Sequence, residues 1–582
     1  MKNNKSNLTK SEFNWFSNMA KSNLFFVSLI FIIWLVSYIF WELIIFRENL
    51  AWDEVSYLSV AKGIALDFDF SSRAYTIMGL LKQGYPSNLI HFPIFSSYIA
   101  LFFKLLGVSL RVGYFSTWFA ALGVCIFLYF IFCMLSQDNR ILSFITSIAY
   151  LYSPGTIKNC NSAMMEQAGC FLLCVCVFFI LKDYVKGQFN YRTILKFSFS
   201  FLFLWLFKSI FIGFFFGALV FILLSYNSRI TGKKIDTKIP LPVFLLASYG
   251  LFVILYYLSI KFVFLQVSPM MNFSPAQENA QVYADFLGGF LNNVVGNVKG
   301  NIESFFNVIV KSYLFYPSNF DRHNPLYENY TQSILNTSAY YIYVGVFFFL
   351  FFIMIALTFS SWKKLTAIQK VFISFTLGTI ISFNLIFNFL FTTYHINVWR
   401  YNAYSLPLYL CYLGIIIKTN FEYIKPFISN HPRVSIVLLA IFIICGYMPL
   451  YLSCIRNYTQ FESKFQIRAK SNAHLIRSVI SHEPDTKFIY MNDGIHTVFD
   501  DYPVRWVFKD ATNEQLMKVN KILPRPIDYL FLRPTDWLFQ NNNKEISKGL
   551  PIINGQYEYY GFNKETSLVV YKFKKPVPEK PA

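Results

Sequence analysis

Charged side chains are scarce in this sequence. Only 14% of its 582 residues are Asp, Glu, Lys or Arg, whereas 55% are hydrophobic and 20% are aromatic. Soluble globular chains contain about 25% charged residues, so this composition argues against a soluble protein. The lipid bilayer is the expected solvent, because many apolar runs reach the roughly 20 residues that a transmembrane helix needs.

The basic residues form no long tract, although the formal net charge is +20. Lys and Arg stand mainly between the apolar runs or in the tail, which predicts a membrane protein and no nucleic-acid partner. A cleavable leader is not expected either. The first apolar run, 24–46, has no small-residue cleavage site and exceeds the length of a signal core, so we expect a retained helix.

Spaced pairs of cysteine are lacking as well. The nine cysteines lie mostly inside apolar runs, where thiols behave as small hydrophobic groups. Cys170, Cys174 and Cys176 come nearest to the spacing of a metal cluster. The helical phase puts Cys176 off the face that the other two share, and no histidine is near. We therefore expect no metal site at these thiols.

The apolar runs predict about eleven transmembrane helices, with the N-terminus in the cytoplasm. This threading turns the basic loops inward, as the positive-inside rule requires. The apolar stretch 92–106 would invert the later spans if it crossed the membrane, so we expect a juxtamembrane or half-embedded helix there. The expected spans are 24–46, 112–135, 141–157, 166–182, 195–207, 209–226, 240–265, 338–361, 369–391, 402–418 and 433–454.

The outer segments divide the chain into two expected domains. Residues 1–454 form a transmembrane domain with outer loops 47–111 and 266–337, and residues 455–582 form a small periplasmic α/β domain. The pattern of the tail predicts strands at 487–491 and 527–532, a helix at 513–523 and a hairpin at 556–573.

A pair of carboxylates stands just beyond the first span. Asp53 and Glu54 precede Tyr57 by about one helical turn. A carboxylate at the membrane surface can deprotonate an acceptor hydroxyl, or it can coordinate a metal beside a phosphate leaving group. Alternatively, Asp53 only caps a solvated helix, since aspartate is a favoured N-cap residue. Both interpretations are open at this point.

Two cations occupy places suited to binding a phosphate. Lys208 interrupts the apolar stretch 197–226, where a charge costs roughly 2.5–3.5 kcal/mol on insertion scales. Arg400 precedes a late span, and its planar guanidinium can pair with a phosphate through two hydrogen bonds. In the alternative interpretation, Lys208 snorkels to the surface and Arg400 only lies at the headgroup level.

Several short segments resemble, in order, motifs of the GT-C glycosyltransferases. Residues 52–57 resemble the Asp-Glu motif of the first outer loop. Residues 91–94 resemble a His-Pro-Pro-Leu opening of a juxtamembrane helix, with Phe92 in place of the first proline. Arg111 starts a span as in the Arg-Leu-Pro-Ser segment of these enzymes, although Val112 and Gly113 depart from that pattern.

Three later segments extend the resemblance, which covers about residues 24–418. Glu166 opens the fourth span, where these enzymes have an acidic residue in the second outer loop, although the helix dipole alone also favours a glutamate there. Lys208 stands in a turn similar to a Thr-Lys-Gly-Pro motif that has lost its glycine and proline. Arg400 and Tyr401 resemble the Arg-Tyr motif at the start of a late span.

The proteins that the chain resembles include the protein O-mannosyltransferases and the lipid A aminoarabinose transferases. The resemblance implies a polytopic GT-C fold in a bacterial inner membrane, with a cytoplasmic N-terminus and a periplasmic tail. It also implies an undecaprenyl-phosphate-type sugar donor, an acceptor in the envelope (lipid A, a glycan or a protein) and inversion of the sugar configuration. Catalytic roles are implied for Asp53, Glu54 and Glu166.

Further roles follow from the same resemblance. The implied substrate-binding residues are Tyr57, His91, Lys208, Arg400 and Tyr401. Some similar enzymes use a divalent metal ion, which His323 and His395 could bind together with Glu54 or Glu166. The sequence contains no ligand spacing that establishes such a site.

An envelope protein of another class is the alternative. O-antigen polymerases, ligases and lipid flippases also combine many spans with outer loops rich in arginine and aromatic residues. A transporter would be expected to show internal repeats or charges at mid-span. The sequence shows no convincing repeat, and only Lys208 comes close to a mid-span charge.

Overall fold

A computed structural model gives the architecture of the chain. The residues that it describes are 23–45, 52–68, 70, 74–77, 80–81, 93–186, 188–189, 191–207, 211–227, 236–237, 240–258, 352–390, 403–433, 474–480, 488–491, 505–508, 511–563 and 567–574.

Helices make up most of the described part of the chain, because a helix bonds its own backbone groups and needs no water to do so. The membrane-domain helices are α1 (Asn23–Ile45), α2 (Trp52–Asp67), α3 (Ile94–Leu106), α4 (Leu110–Leu135), α5 (Arg140–Leu151), α6 (Pro154–Cys160), α7 (Met165–Lys186), α8 (Tyr191–Phe207), α9 (Ile212–Tyr226), α10 (Leu241–Leu258), α11 (Ala367–Leu390) and α12 (Leu406–Asn430). Residues 352–361 are also helical, and short 3-10 turns cover Trp362–Lys364 and Ala403–Ser405.

Four of the described helices are long and apolar enough to cross a membrane, namely α1 as far as Leu43, α4, α7 and α10. Shorter or less apolar helices occupy the other expected spans as far as 402–418, in whole or in part. Residues 338–351 and 434–454 lie outside the described residues. Together with the C-terminal sheet, these helices confirm a polytopic helical membrane protein with a small α/β tail.

The third expected span, 141–157, consists of two helices in place of one continuous helix. The number of spans stays a prediction. Helix α5 ends at Leu151 and α6 starts at Pro154. Proline lacks a backbone N–H and disfavours helical geometry at the residue before it. The Ser153 hydroxyl accepts the backbone N–H of Thr156 at 3.2 Å and caps the new helix. The chain therefore turns before it enters α7.

Helix α3 occupies the stretch that was expected to lie along the membrane. Its 13 residues extend about 20 Å, which is short of the roughly 30 Å hydrocarbon core. It runs beside α2, since the Tyr57 ring lies 5.2 Å from the Phe95 ring and Lys104 Nζ lies 3.4 Å from Ala65 O near the other ends. A juxtamembrane position for α3 stays a prediction.

Side chains from late helices bind the C-terminal end of α4. Gln369 of α11 donates to the Leu135 carbonyl at 2.8 Å, and the Lys418 ammonium of α12 donates to the Ser136 carbonyl. The last carbonyls of a helix have no partner within the helix, and a cation there also opposes the helix dipole. These bonds fasten α11 and α12 to the first half of the bundle.

Small residues let α9 and α11 approach closely. A Cβ placed on Gly217 would collide with the Thr379 hydroxyl and would lie 2.8 Å from the Phe375 carbonyl. Helices surrounded by lipid associate through such close packing, because the lipid removes the hydrophobic driving force between them. The contact therefore depends on glycine at position 217.

Two short strands show that separate connections meet at one end of the bundle. Strand β2 (Gln188–Phe189) follows α7, and β3 (Asp236–Thr237) follows α9; the two strands pair in parallel. Helix α8 leads away from this end and α9 returns to it. The end of α8 and the start of α9 therefore lie at the other end, together with the start of α7.

The tail forms a six-stranded sheet in the order β1-β5-β4-β6-β8-β7, in which β8 runs antiparallel to β6 and β7 and the other pairs are parallel. Its strands are β1 (Ala74–Thr76), β4 (Phe488–Met491), β5 (Arg505–Phe508), β6 (Tyr529–Leu532), β7 (Tyr557–Asn563) and β8 (Leu568–Phe573), and its helices are α13 (Asn513–Ile522), α14 (Trp537–Asn541) and α15 (Asn543–Ser547). The predicted strands, helix and hairpin of the tail are confirmed.

The first outer loop completes this sheet. Strand β1 belongs to that loop and pairs with β5, with Ala74 opposite Trp506. Ile77 and Leu80, which follow β1, are fully buried in the apolar core of the tail. The core of the tail thus includes residues expected to belong to the membrane domain. The expected boundary at 454 lies outside the described residues and stays a prediction.

Candidate functional site

The acidic pair lies in the first turn of α2. Asp53 is part of this helix, but its side chain lies outside what the structure describes. Glu54 is fully buried, and its Oε1 accepts the backbone N–H of Ala163 at 2.8 Å. A buried carboxylate is stable only when hydrogen bonds replace its water. The start of α2 is therefore fastened to the turn between α6 and α7.

That turn is a buried polar segment held by α4. Thr117 donates its hydroxyl to the Cys160 carbonyl at 2.7 Å, and the Trp118 indole N–H donates to Asn161 Oδ1 at 3.1 Å. Ser162 donates to the Asn159 carbonyl within the turn at 3.0 Å. Because these groups are bonded to protein rather than water, the backbone that holds Glu54 is fixed on both sides.

Glu166 lies in the first turn of α7, three residues after Ala163, and is fully buried. Its neighbour Gln167 accepts from the Tyr150 hydroxyl at 2.6 Å and donates to the Thr156 carbonyl at 3.1 Å. These bonds fix the start of α7 against α5 and α6. The structure therefore brings Glu54 and Glu166, which are 112 positions apart in the sequence, to the same turn.

A continuous chain of aromatic rings runs from α2 to the start of α12. The centroid distances are 5.2 Å for Tyr57 and Phe95, 6.0 Å for Phe95 and Phe207, 6.4 Å for Phe207 and Phe211, and 4.7 Å for Phe211 and Tyr404. These separations are those of favourable ring pairs. Tyr57, expected to bind substrate, is the first ring of this chain and is buried.

Each later ring is a near neighbour, along the chain, of an expected substrate-binding residue. Phe95 follows the motif of His91, Phe207 and Phe211 flank the turn of Lys208, and Tyr404 follows Arg400 and Tyr401. The four expected residues themselves, His91, Lys208, Arg400 and Tyr401, lie outside the described residues. What the structure shows is that the chain segments next to them meet in one cluster.

The aromatic chain also touches the acidic turn. Gly169, one turn after Glu166, packs so closely that a Cβ there would collide with the Tyr404 ring and lie 3.2 Å from the Phe207 ring. The start of α7 is therefore in contact with the residues that border the two expected phosphate-binding cations. One end of the bundle therefore contains two buried carboxylates and the described residues that precede or follow these cations in the sequence.

Arg111 has a structural partner at the start of α4. Its Nε lies 3.5 Å from Glu42 Oε1, near the end of α1. The Arg111 side chain is mostly exposed, whereas that of Glu42 is mostly buried. The resemblance singled out Arg111 as the first residue of a span, and the structure shows that it connects the start of α4 to the end of α1.

Two buried polar residues near this end were missed by sequence reasoning. Lys62 is 93% buried and stands eight residues after Glu54 on α2, with Leu58 between them on the same helical face. Lysine is almost never fully buried without a partner. The signal in the sequence was the spacing of Glu54, Leu58 and Lys62, which follow one another at four-residue intervals and so share one helical face. Asn161 is the other, and its side-chain oxygen accepts the Trp118 indole N–H at 3.1 Å.

The described residues contain no group of three or more His, Cys, Asp or Glu side chains placed to hold a metal ion. His323 and His395, which could complete a site with Glu54 or Glu166, lie outside the described residues. The seven cysteines within the described part are all buried, and none of them forms a disulfide bond. We assign no step of the chemistry to a metal.

Comparisons with known proteins were made at three levels. No family model matches the sequence, and no curated protein matches it. The fold resembles that of ArnT from Cupriavidus metallidurans bound to undecaprenyl phosphate, with a TM-score of 0.48 and 12% identity over 94% of this chain and 97% of that one. It also resembles the Archaeoglobus fulgidus oligosaccharyltransferase tethered to an acceptor peptide, with a TM-score of 0.48 and 12% identity over 95% of this chain and 74% of that one. At this level of likeness, neither structure assigns a role to a residue here.

Proposed function

We propose that this chain is a membrane glycosyltransferase that moves a sugar from a polyprenyl-phosphate donor to an envelope acceptor. The observation that supports it most directly is the meeting of the Glu54 and Glu166 segments with the aromatic chain, which borders the segments of His91, Lys208 and Arg400. Described segments that adjoin motifs far apart in the sequence lie at one end of the bundle, which supports a single active site there.

The location forms part of the proposal. The chain lies in a bacterial inner membrane with its N-terminus in the cytoplasm, and the acidic end of the bundle faces the periplasm together with the tail. The positive-inside distribution of Lys and Arg supports this orientation. A lipid-linked donor can then reach the site from the outer leaflet, and an envelope acceptor can reach it from the periplasm.

The cations bind the leaving group. Arg400 and Lys208 hold the phosphate of the donor, and charge-assisted bonds of this kind are shorter and stronger than neutral ones. As the bond between the anomeric carbon and the phosphate oxygen breaks, the electron pair stays on the phosphate. The two cations stabilise that developing charge.

The carboxylates act on the acceptor. Asp53 takes the proton of the acceptor hydroxyl while the acceptor oxygen bonds to the anomeric carbon from the opposite side, so the configuration inverts. Glu54 holds the start of α2 through the Ala163 N–H and thereby orients Asp53. If the acceptor is itself a phosphate, as in lipid A, no base is needed and Asp53 positions the acceptor.

A deletion strain tests the proposed function. Mass spectrometry of its lipid A, envelope glycans and periplasmic glycoproteins should show one missing sugar, which returns when the wild-type gene is restored. A polymerase or ligase defect would instead shorten or detach whole polysaccharide chains, and a flippase defect would trap the lipid-linked sugar inside. Unchanged envelope sugars in the deletion strain would contradict the proposal.

A further inference from the structure

Asn161 lies beside the acidic turn, at the end of α6. It is 94% buried and stands two residues before Ala163, whose N–H binds Glu54. Its Oδ1 accepts the indole N–H of Trp118 at 3.1 Å. Trp118 is held in turn, because its carbonyl accepts the Trp34 indole N–H at 2.7 Å. The amide of Asn161 thus ends a chain of hydrogen bonds that starts on α1.

The orientation of this amide follows from its partner. An indole N–H can only donate, so the amide oxygen must face Trp118 and the amide nitrogen must point elsewhere. That nitrogen is buried and has no hydrogen-bond partner in the part of the chain that the structure describes. A buried donor without a partner costs about 1–3 kcal/mol. Groups of this kind are rare in folded proteins and call for an explanation.

The surroundings indicate what the free donor binds. Glu54 and Glu166, both buried at this turn, present carboxylate oxygens, which accept hydrogen bonds. A hydroxyl group donates one hydrogen bond and accepts others, so it can bridge a carboxylate and an amide nitrogen. A phosphate is disfavoured at this place, since its charge would be repelled by the carboxylates.

We propose that Asn161 Nδ2 donates a hydrogen bond to a hydroxyl of the sugar that the lipid donor carries. Asn161 is then a residue that selects the sugar, whereas Arg400 and Lys208 bind the phosphate. This inference rests on the proposed function and adds the recognition of the sugar to it.

Binding of bare and sugar-carrying lipid tests the inference. Full-length protein in nanodiscs is titrated with undecaprenyl phosphate and with undecaprenyl phosphates that each carry one neutral or amino sugar. The wild type should bind one of the sugar-carrying lipids more tightly than the bare lipid. In Asn161→Ala this gain should fall roughly two- to tenfold, as expected for one neutral hydrogen bond, while the Kd of the bare lipid stays the same.

Two variants separate binding from folding. Asn161→Leu has the same number and branching of side-chain heavy atoms, and it should lose the same gain in affinity if the alanine variant fails to fold. Asn420→Ala is the matched control, because this buried asparagine has partners on both sides, accepting from Ser361 at 2.8 Å and donating to the Ile416 carbonyl at 2.9 Å. Asn420→Ala should keep the higher affinity for the sugar-carrying lipid over the bare lipid, even if the variant is less stable.

A third variant distinguishes sugar binding from a merely structural role. Trp118→Phe removes the bond between the indole and Asn161 but leaves the amide nitrogen, so most of the gain should persist. Three results would overturn the inference. The first is an equal loss of sugar-dependent affinity in Trp118→Phe and Asn161→Ala, and the second is a folded Asn161→Ala that keeps the full sugar-dependent affinity. The third is a wild type that binds bare and sugar-carrying lipid with equal Kd values. Failure of the wild type to bind undecaprenyl phosphate would instead contradict the proposed function.

Discussion

Asp53 and Glu54 are adjacent in the sequence but are expected to have different tasks. Successive residues of a helix point about 100° apart, so the two side chains cannot serve the same contact. Glu54 is fully buried and bonded to the Ala163 N–H. Glu54 is therefore expected to hold the backbone of the protein. Of the two adjacent carboxylates, Asp53 is the one expected to act on the acceptor.

We predict that Asp53→Asn abolishes sugar transfer while expression and thermal stability stay near those of the wild type. The amide keeps the size and the capping ability of aspartate, but it cannot accept the proton of the acceptor. The measurement is transfer by purified, folded protein in nanodiscs. Near-normal turnover would show that Asp53 only caps α2.

The two other carboxylates provide the controls for this experiment. Glu54→Gln keeps an oxygen that can accept the Ala163 N–H, so it should fold and retain part of the activity. Glu166→Gln is assayed beside it. Selective loss of transfer in either variant, with Asp53→Asn active, would move the chemistry to that carboxylate.

The cations make a second prediction at this scale. Arg400→Ala and Lys208→Ala should each weaken donor binding, because each removes a charge-assisted bond to phosphate worth about 1.5–3 kcal/mol. That loss corresponds to roughly tenfold to a hundredfold in donor affinity. The measurement is the Kd for undecaprenyl phosphate, with Arg433→Ala on the expected inner side as the control. Unchanged donor affinity in both variants would remove the phosphate role.

Among the elements, the pair of α9 and α11 is the most sensitive to added volume. We predict that Gly217→Ala lowers the free energy of unfolding by about 1–3 kcal/mol, since its methyl group would meet the Thr379 hydroxyl and the Phe375 carbonyl. The measurement is thermal unfolding in detergent. The energy is lost in packing, because lipid removes the hydrophobic driving force and close packing contributes much of what holds the helices together.

Helix α10 offers a matched control for this substitution. A Cβ at Gly250 would meet nothing within 4 Å, so Gly250→Ala should leave the Tm unchanged or raise it, since alanine favours helix by up to about 1 kcal/mol over glycine. The packing explanation fails if the two variants unfold at the same temperature.

On the scale of the whole molecule, the first outer loop and the tail share one core. We predict that Ile77→Ala destabilises the tail by about 2–5 kcal/mol, because Ile77 is fully buried among tail residues. Hydrogen exchange of strand β5 should become faster in this variant. Leu550→Ala is the control, since this tail residue is half exposed; equal protection of β5 in both variants would show that the loop is not part of the folded unit.

The orientation of the whole chain gives a further prediction. A reporter that is active only in the periplasm should be active when it is fused after Cys454, because eleven spans from a cytoplasmic N-terminus end outside. A cytoplasmic reporter at the same place should be silent. The opposite pair of results would invert the proposed orientation and would put the acidic turn on the cytoplasmic side.

The sequence by itself determined the class of the protein and the elements of its tail. Long apolar runs can only be helices in lipid, since no other single segment bonds its own backbone, and α1, α4 and α7 follow the predicted runs closely. The short apolar runs that form strands β6 and β8 were also visible, because such a run is a local pattern. Such features depend on a few neighbouring residues and the solvent.

Only the tertiary structure decided which residues meet. The bond of Glu54 to Ala163, the ring chain from Tyr57 to Tyr404 and the entry of Ile77 into the tail core join segments far apart in the sequence. Pairings of this kind depend on how the whole chain packs, and no local pattern encodes them. The Asn161 donor is the clearest case, since its orientation follows from Trp118, on another helix. Whether a buried polar group has a hydrogen-bond partner depends on the folded chain, so the sugar-binding role of Asn161 could be proposed only from the tertiary structure.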